Sequence, residues 1–423
     1  MTAPPSIVSL SPPASPHEAL KAVCDRVSTV PTELVPLAMS RGRVVAQTIC
    51  ADRDSPPLHV SAMDGYAIRM QDLKDMASAH GLPIEAVHSA IIGQPPAAMQ
   101  PGCALHIATG APVPIGAEAV VRYEDVAITN QRVRLTVDTC SVAHGANIRK
   151  RGENAQRGDT IAQAGQLIGP GLIGAMASFG VSQVCVNRRV RVALLTTGDE
   201  LVGAHEPVQP WHIRDSNGPV LQSLLGSHAW IEVVSHIREQ DDAASLTHAL
   251  NRALDDADAV IVTGGVSMGH KDFVPHVVSK VGAETIFHKL PQRPGRPMLA
   301  AIRPSVGTEP PRLILGLPGN PVSVMVTARR LGLGMLGAMA GLSTLHFTGR
   351  ARNVANADGA SIAMWWYRLV TEGVNTSGHS ELRLLGGKGS GDIASAALSI
   401  GFIEVAPREP TTSTHNFFAW TTS

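Results

Sequence analysis

Aromatic side chains are scarce, 4% of residues in a chain that is 44% hydrophobic, so the core must be packed from aliphatic groups. Neither sign of charge prevails. Lys plus Arg and Asp plus Glu each number 35, and the pI near 7.3 lacks the basic excess of a general nucleic-acid binder. The five cysteines (Cys24, Cys50, Cys103, Cys140 and Cys185) contain no CxxC pair. That signals neither a zinc site nor a disulfide framework, and it suits a reducing cytosol. The 17 histidines form no HxH or HxxxH set and read as ordinary surface or core residues. No apolar run reaches the roughly 18 residues a membrane span needs. Residues 1–16 are rich in Pro and Ser but lack a charged n-region and an apolar h-region, the pattern of a disordered tail rather than a signal peptide. The expectation is a cytoplasmic protein with no membrane and no nucleic-acid partner.

At 423 residues there is room for about two to four domains. The spacing of Ala19, Leu20, Val23, Val27 and Val30 predicts a helix over 17–30, and residues 34–50 read as a second helix or turn that leads into an extended stretch from Arg43 to Ile49. Together with 147–187, which includes a charged loop at 149–159 and a small-residue helix at 168–179, residues 17–50 form an expected N-terminal helical and linker domain. Residues 51–146, with Gly, Pro and alternation such as Val133 to Val137, predict an inserted β-rich domain. From 188 to 340 the character changes. Apolar β-branched runs at 190–195, 231–237, 259–262 and 313–315 alternate with helical patterns, which means βαβ units, a mostly parallel sheet and a three-layer α/β domain. Residues 341–423 carry short strands and predict a small β domain resembling a barrel.

Ligands of such sheets sit at the carboxyl ends of the strands, and the Gly- and Asp-rich motifs fall there. The fullest is Thr263-Gly264-Gly265-Val266-Ser267-Met268-Gly269-His270-Lys271-Asp272, directly after the 259–262 run. Its glycines let the backbone approach a ligand and aim N–H groups at an anion, and Asp272 suggests a metal ion beside that anion. The sheet also offers Thr197-Gly198-Asp199-Glu200, Asp215-Ser216-Asn217, Arg293-Pro294-Gly295-Arg296-Pro297 and Leu317-Pro318-Gly319-Asn320-Pro321-Val322-Ser323. The β-rich region adds Ser61-Ala62-Met63-Asp64-Gly65-Tyr66-Ala67, Ala108-Thr109-Gly110-Ala111-Pro112 and Arg149-Lys150-Arg151-Gly152-Glu153-Asn154.

In this order, from about Arg43 to Ser323 and more weakly beyond, the chain resembles the molybdopterin molybdenumtransferase family, which includes the molybdate-inserting half of gephyrin-like fusion proteins. The resemblance implies the last step of molybdenum cofactor synthesis: adenylylated molybdopterin and molybdate bind, the adenylate is released as AMP, and the pterin dithiolene ligates molybdenum with Mg2+ assisting. It implies a homodimer whose cleft is shared between subunits, with molybdopterin adenylyltransferase and apo-molybdoenzymes as partners. Carried onto this sequence, Asp64, Thr109, Glu200 and Asp272 are the catalytic candidates, and Glu200, Asp215 and Asp272 the magnesium ligands. Thr197, Gly198, Asp215, Ser216, Gly264, Gly265, Ser267, Gly269, Pro318, Gly319, Asn320 and Ser323 bind substrate. Arg293, Arg296, Arg368 and Ser390 match positions that hold the tetrahedral oxyanion, a task for fixed N–H, hydroxyl and guanidinium donors.

Simpler readings stand beside these. Asn320 and Pro321 can be the N-cap and first residue of a helix, Glu200 a helix cap, Asp64 the start of an Asp-Gly hairpin turn, and Arg293 and Arg296 solvated surface charges. Asn154 occupies a position where the family usually has an acidic residue, and an amide is neither a carboxylate base nor a charged metal ligand. Two other functions remain open: a molybdopterin adenylyltransferase, whose stand-alone forms share the sheet domain but lack the β-rich region, and a non-catalytic cofactor-binding scaffold.

Overall fold

The computed structural model describes residues 13–85, 90–266, 273–305, 307, 310–343, 350–412 and 414–421. The chain divides into two compact units. The first comprises Met1–Gln47, Gln163–Ile173 and Ser182–Ser423, the second Thr48–Ala162 and Gly174–Val181.

At the centre of the first unit is a six-stranded sheet in the order Ile231–Glu239, Val190–Thr197, Ala259–Thr263, Arg312–Leu317, Leu299–Arg303 and Glu284–His288. The first four strands are parallel, whereas Leu299–Arg303 runs against both its neighbours. The sheet is therefore mixed. Every residue of Ala259–Thr263 is buried, because helices cover both faces and leave no side for alternation with polar groups. Ala259 and Ile261 pack in one core with Leu221, Leu224 and Leu225 of the Asn217–Gly226 helix. Val260 and Val262 face the other core, with Leu246 and Leu250 of Ala243–Asp256 and Val277 of Val274–Lys280. Asp242 starts the Ala243–Asp256 helix by accepting the Ser245 N–H at 2.8 Å.

Three local expectations need correction. The first helix is Pro16–Cys24, capped by Ser15, and stops well short of Val30. Val27 and Val30 still pack on the core, and the Val30 N–H donates to the Met339 carbonyl, so tertiary contact rather than helix continuation explains their spacing. Residues 14–16 belong to the cap and helix, and 1–12 lie outside the described residues. The stretch read as a second helix or turn is strand Thr32–Pro36, antiparallel to Gln183–Asn187, followed by a single 3-10 turn at Leu37–Met39. Between Pro321 and Met339 runs a 19-residue helix long and apolar enough to cross a membrane, but 83% of that stretch is buried inside the fold. It is a core helix, interrupted by a π turn at Ala328–Gly332.

After this helix, strands Arg350–Asn353, Thr414–Ala419, Gly401–Val405 and Trp365–Val374 pair in that order, and Ser380–Leu384 joins Trp365–Val374. Gln292–Arg293 extends the sheet by pairing with Trp365 and Trp366. Phe402 stacks on Phe418 with ring centroids 5.2 Å apart, which concentrates the chain's few aromatics here.

The second unit is β-rich. Leu105–Ile107, Gly65–Ile68 and Ala119–Arg122 form one antiparallel sheet, and Leu82–Pro83, Arg132–Leu135 and Val126–Thr129 another. A Cβ at Gly65 would lie 1.9 Å from the Val121 carbonyl oxygen, so this strand pair requires glycine there.

Candidate active site

From Val190–Thr197 the chain crosses first to the strand on one side, Ile231–Glu239, and then to the strand on the other, Ala259–Thr263. This reversal opens a crevice at the strands' carboxyl ends, the usual ligand position in such sheets. Thr196 and Thr263 are register partners across it. Gly264 (φ 94°) and Gly265 (φ 59°) sit in left-handed backbone, and a Cβ on Gly264 would meet the Thr197 carbonyl oxygen at 2.4 Å. Only glycine closes this turn. Leu317–Asn320 reaches the same edge, because Thr263 pairs with Leu317. Leu299 is antiparallel to Gly316, so the Arg293–Pro297 loop that precedes it also emerges there.

Asp215 is buried, 7% exposed. Its Oδ2 accepts from Thr196 Oγ1 at 3.0 Å and lies 3.2 Å from His236 Nε2, while Oδ1 accepts the Gly218 N–H at 3.0 Å. Burial pushes this carboxyl up, but His236, the Gly218 amide and Thr196 outweigh it and hold it below the usual range. Asp215 thus fixes the start of the Asn217–Gly226 helix rather than presenting free oxygens. Thr197 donates its hydroxyl to Asp241 Oδ1 at 2.5 Å. Glu200 caps no helix, contrary to the simpler reading, since it precedes the two-residue strand Leu201–Val202. Its carboxylate folds back so that a Cβ on Gly198 would lie 3.0 Å from both oxygens, and it makes no hydrogen bond or ion pair among the described residues. Ser216 precedes the Asn217–Gly226 helix without capping it through its side chain, and Ser323 is buried inside its own helix. Ser267, Gly269 and Asp272 lie outside the described residues.

Asn320 is the N-cap of the long helix with Pro321 at its first position, yet its side chain makes no capping bond. Instead its Nδ2 donates to Ser390 Oγ at 2.9 Å, and the Val322 N–H donates to the Ser390 carbonyl. This joins the Gly386–Asp392 loop to the Pro318–Pro321 turn. The Arg293–Pro297 loop is held from beneath by Gln292, fully buried, which donates to the Gly295 carbonyl at 2.8 Å and accepts from the Tyr367 hydroxyl at 3.1 Å. Gly295 has φ 95°, and a Cβ there would strike Thr327 at 2.3 Å. Arg293 and Arg296 are exposed, and neither guanidinium is paired among the described residues. Arg368 has different partners from those expected of an oxyanion ligand: a bidentate pair with Asp358 at 2.6 and 2.7 Å, Thr411 Oγ1 at 3.0 Å, and the Trp366 ring at 4.3 Å.

In the second unit, Asp64 Oδ1 accepts from both the amide (2.7 Å) and the hydroxyl (2.9 Å) of Thr109. The Thr109 amide is the larger cause, and the hydroxyl adds to it, of a carboxyl held below its ordinary value. The two motifs therefore form one site, and Asp64 is not a hairpin turn residue: its carbonyl accepts from Tyr123, and Gly65 begins a central strand. Asn154 Oδ1 accepts from Arg149 Nη2 at 2.6 Å beside the Glu153–Arg149 ion pair. An amide oxygen performs that accepting role as a carboxylate would.

Sequence reasoning missed Gln292 as a member of this edge, and it assigned no role to the side chains of Asn217 and Thr263 although both stood in quoted motifs. The helix-opening position of Asn217 could have flagged it. A lone Gln between Pro291 and Arg293 carries no signal.

Residues 14–180 match the family model described as MoeA N-terminal region (domain I and II), and residues 193–338 match the probable molybdopterin binding domain. A molybdopterin molybdenumtransferase of Nostoc sp. is 34% identical over 74% of this chain and 70% of its own length. The chain belongs to the molybdopterin molybdenumtransferase family. A Staphylococcus epidermidis relative of the same name is 31% identical over 73% of this chain and 72% of its own length. In fold the chain is similar to the molybdopterin biosynthesis moea protein from Pyrococcus horikosii, with TM-score 0.77, 24% identity, and 96% of this chain and 99% of that one covered.

Proposed function

We propose that this protein is a molybdopterin molybdenumtransferase that inserts molybdenum from molybdate into adenylylated molybdopterin and releases AMP, the last step of molybdenum cofactor synthesis. Family membership supplies the reaction class. The observation that carries the assignment of the site is the pair of guanidiniums, Arg293 and Arg296, unpaired among the described residues, on a loop whose floor is a buried Gln292. Two cations on a held loop at a sheet's ligand edge suit a tetrahedral dianion such as molybdate, and Arg offers it parallel donors. Gly264, Gly265 and Gly319 let the substrate's phosphates approach backbone N–H groups. The Asn320–Ser390 contact positions a hydroxyl at the same edge.

Among the described residues no three metal-binding side chains gather, so an all-protein cage is absent there. Magnesium does not need one, since one or two carboxylates with substrate phosphate oxygens suffice. The Glu200 carboxylate, unpaired among the described residues, fits that donor set, whereas Asp215 holds a helix start. When bound, the ion would neutralise charge on the phosphoanhydride. Asp64, kept ionised by Thr109, would orient a water or a substrate hydroxyl from the partner subunit of a homodimer. In this reading the chain works in the cytoplasm between molybdopterin adenylyltransferase and apo-molybdoenzymes. The bridge between Val354 and Leu382 supports a barrel-like closure of the C-terminal strands.

The adenylyltransferase alternative loses ground because the N-terminal family model covers residues 14–180, the region its stand-alone forms lack. The test is AMP release from adenylylated molybdopterin, with magnesium, at graded molybdate. Release that rises with molybdate supports the transferase. Synthesis of the adenylylated pterin from ATP, with no molybdate response, contradicts it.

A further inference from the structure

Among the described residues, two buried polar atoms at the crevice have no hydrogen-bond partner: Thr263 Oγ1 and Asn217 Oδ1. Thr263 is 1% exposed and Asn217 7%. Both belong to the same side of the sheet. Thr263 follows Ala259 and Ile261 in strand alternation, and those two pack against the helix that Asn217 opens. Asn217 cannot turn its oxygen elsewhere without loss, because its Nδ2 donates to the Gly319 carbonyl at 2.8 Å. That bond also settles which end of the amide is the orphan, an acceptor. The neighbouring Thr196 hydroxyl, by contrast, has Asp215 and His236 as partners.

Buried polar groups in folded proteins are nearly always satisfied, and an unmade bond costs stability. Valine fills threonine's shape without the hydroxyl, so the core does not need oxygen at 263. A hydroxyl and an acceptor left unpaired on one side of a ligand crevice are what a site looks like before its ligand arrives. We propose that Thr263 Oγ1 and Asn217 Oδ1 are substrate-reading groups that take a polar N–H or O–H group of adenylylated molybdopterin, at some cost to the stability of the ligand-free protein. This rests on the functional reading above and adds to it two residues that distinguish hydrogen-bonding ligands from apolar ones.

The test uses the full chain and Thr263→Val, with Thr263→Ser as the variant that restores the hydroxyl. Ligand-free Tm is measured for each, and binding by anaerobic calorimetry with 5′-AMP, with molybdopterin and with adenylylated molybdopterin. The proposal predicts that Thr263→Val keeps or raises the ligand-free Tm while it weakens adenylylated molybdopterin by about tenfold, the usual size of one buried hydrogen bond. Thr263→Ser restores the affinity. Loss in the 5′-AMP arm places the read group on the nucleotide half, and loss in the molybdopterin arm places it on the pterin half. A lowered Tm with unchanged affinity overturns the proposal, since the hydroxyl would then hold a structural water. Unchanged Tm and affinity overturn it as well. If the wild-type chain binds none of the three probes, the functional reading falls and this inference with it.

Discussion

Replacing Gln292 by methionine keeps the volume of a fully buried side chain and removes two hydrogen bonds, one to the Gly295 carbonyl and one from the Tyr367 hydroxyl. The Gly295 carbonyl would be left unpaired beneath the Arg293–Pro297 loop, at a cost of about 1–3 kcal/mol. The Tyr367 hydroxyl keeps Glu404 nearby, so its loss is smaller. The sum is about 2–3 kcal/mol of stability. The functional effect follows from position rather than contact. A loop free to shift by about 1 Å misaligns both guanidiniums, and misplacement of that size can cost up to about a hundredfold. We expect a lower Tm and a molybdate requirement for half-maximal turnover raised about tenfold or more, with the requirement for the pterin substrate little changed. The assays are thermal denaturation and the molybdate dependence of AMP release. Wild-type Tm together with an unchanged molybdate dependence would refute the view that Gln292 sets the loop.

Two glycines at the crevice should respond in opposite ways. Gly264→Ala places a Cβ against the Thr197 carbonyl at φ 94° and should lower Tm sharply. At Gly319 the nearest atom would be 3.7 Å away, so Gly319→Ala should fold normally, and any activity it loses reports ligand approach. Buried His228 has its pKa lowered from 6.5 to about 4 by burial first and by Arg329 second. The unfolded chain therefore takes up this proton before the folded one. Its contribution is fully present above about pH 6.5 and shrinks as pH falls towards 4, by about 3 kcal/mol in all. His228→Gln should flatten the stability profile in that window, read by denaturant titration at several pH values, and an unaltered slope would contradict the assignment.

The buried strands at the sheet's centre were legible because β-branched runs such as Ala259 to Val262 have one plausible state, and their connections follow from length. The antiparallel Glu284–His288 and Leu299–Arg303 strands were not, since short apolar runs beside Pro and Gly carry no sign of direction or type. Thr32–Pro36 was unreadable for another reason: its partner, Gln183–Asn187, is supplied by the distant chain. At the site, the glycines and Arg293 and Arg296 were found through motif order. Arg368 was harder, because its pairing with Asp358 and its place over Trp366 depend on sheet geometry. Gln292 and the orphaned Thr263 hydroxyl become visible only when burial and hydrogen bonds are known.

The central claim is molybdenum insertion at the Arg293–Arg296 loop. Its most direct measurement is reconstitution of a cofactor-free molybdoenzyme with adenylylated molybdopterin, magnesium and low molybdate, in the presence of the wild-type chain or of Arg293→Ala/Arg296→Ala. The account predicts protein-dependent activity that the double variant loses at low molybdate and regains in part at high molybdate. Equal activity without the protein, or an undiminished double variant, would contradict it.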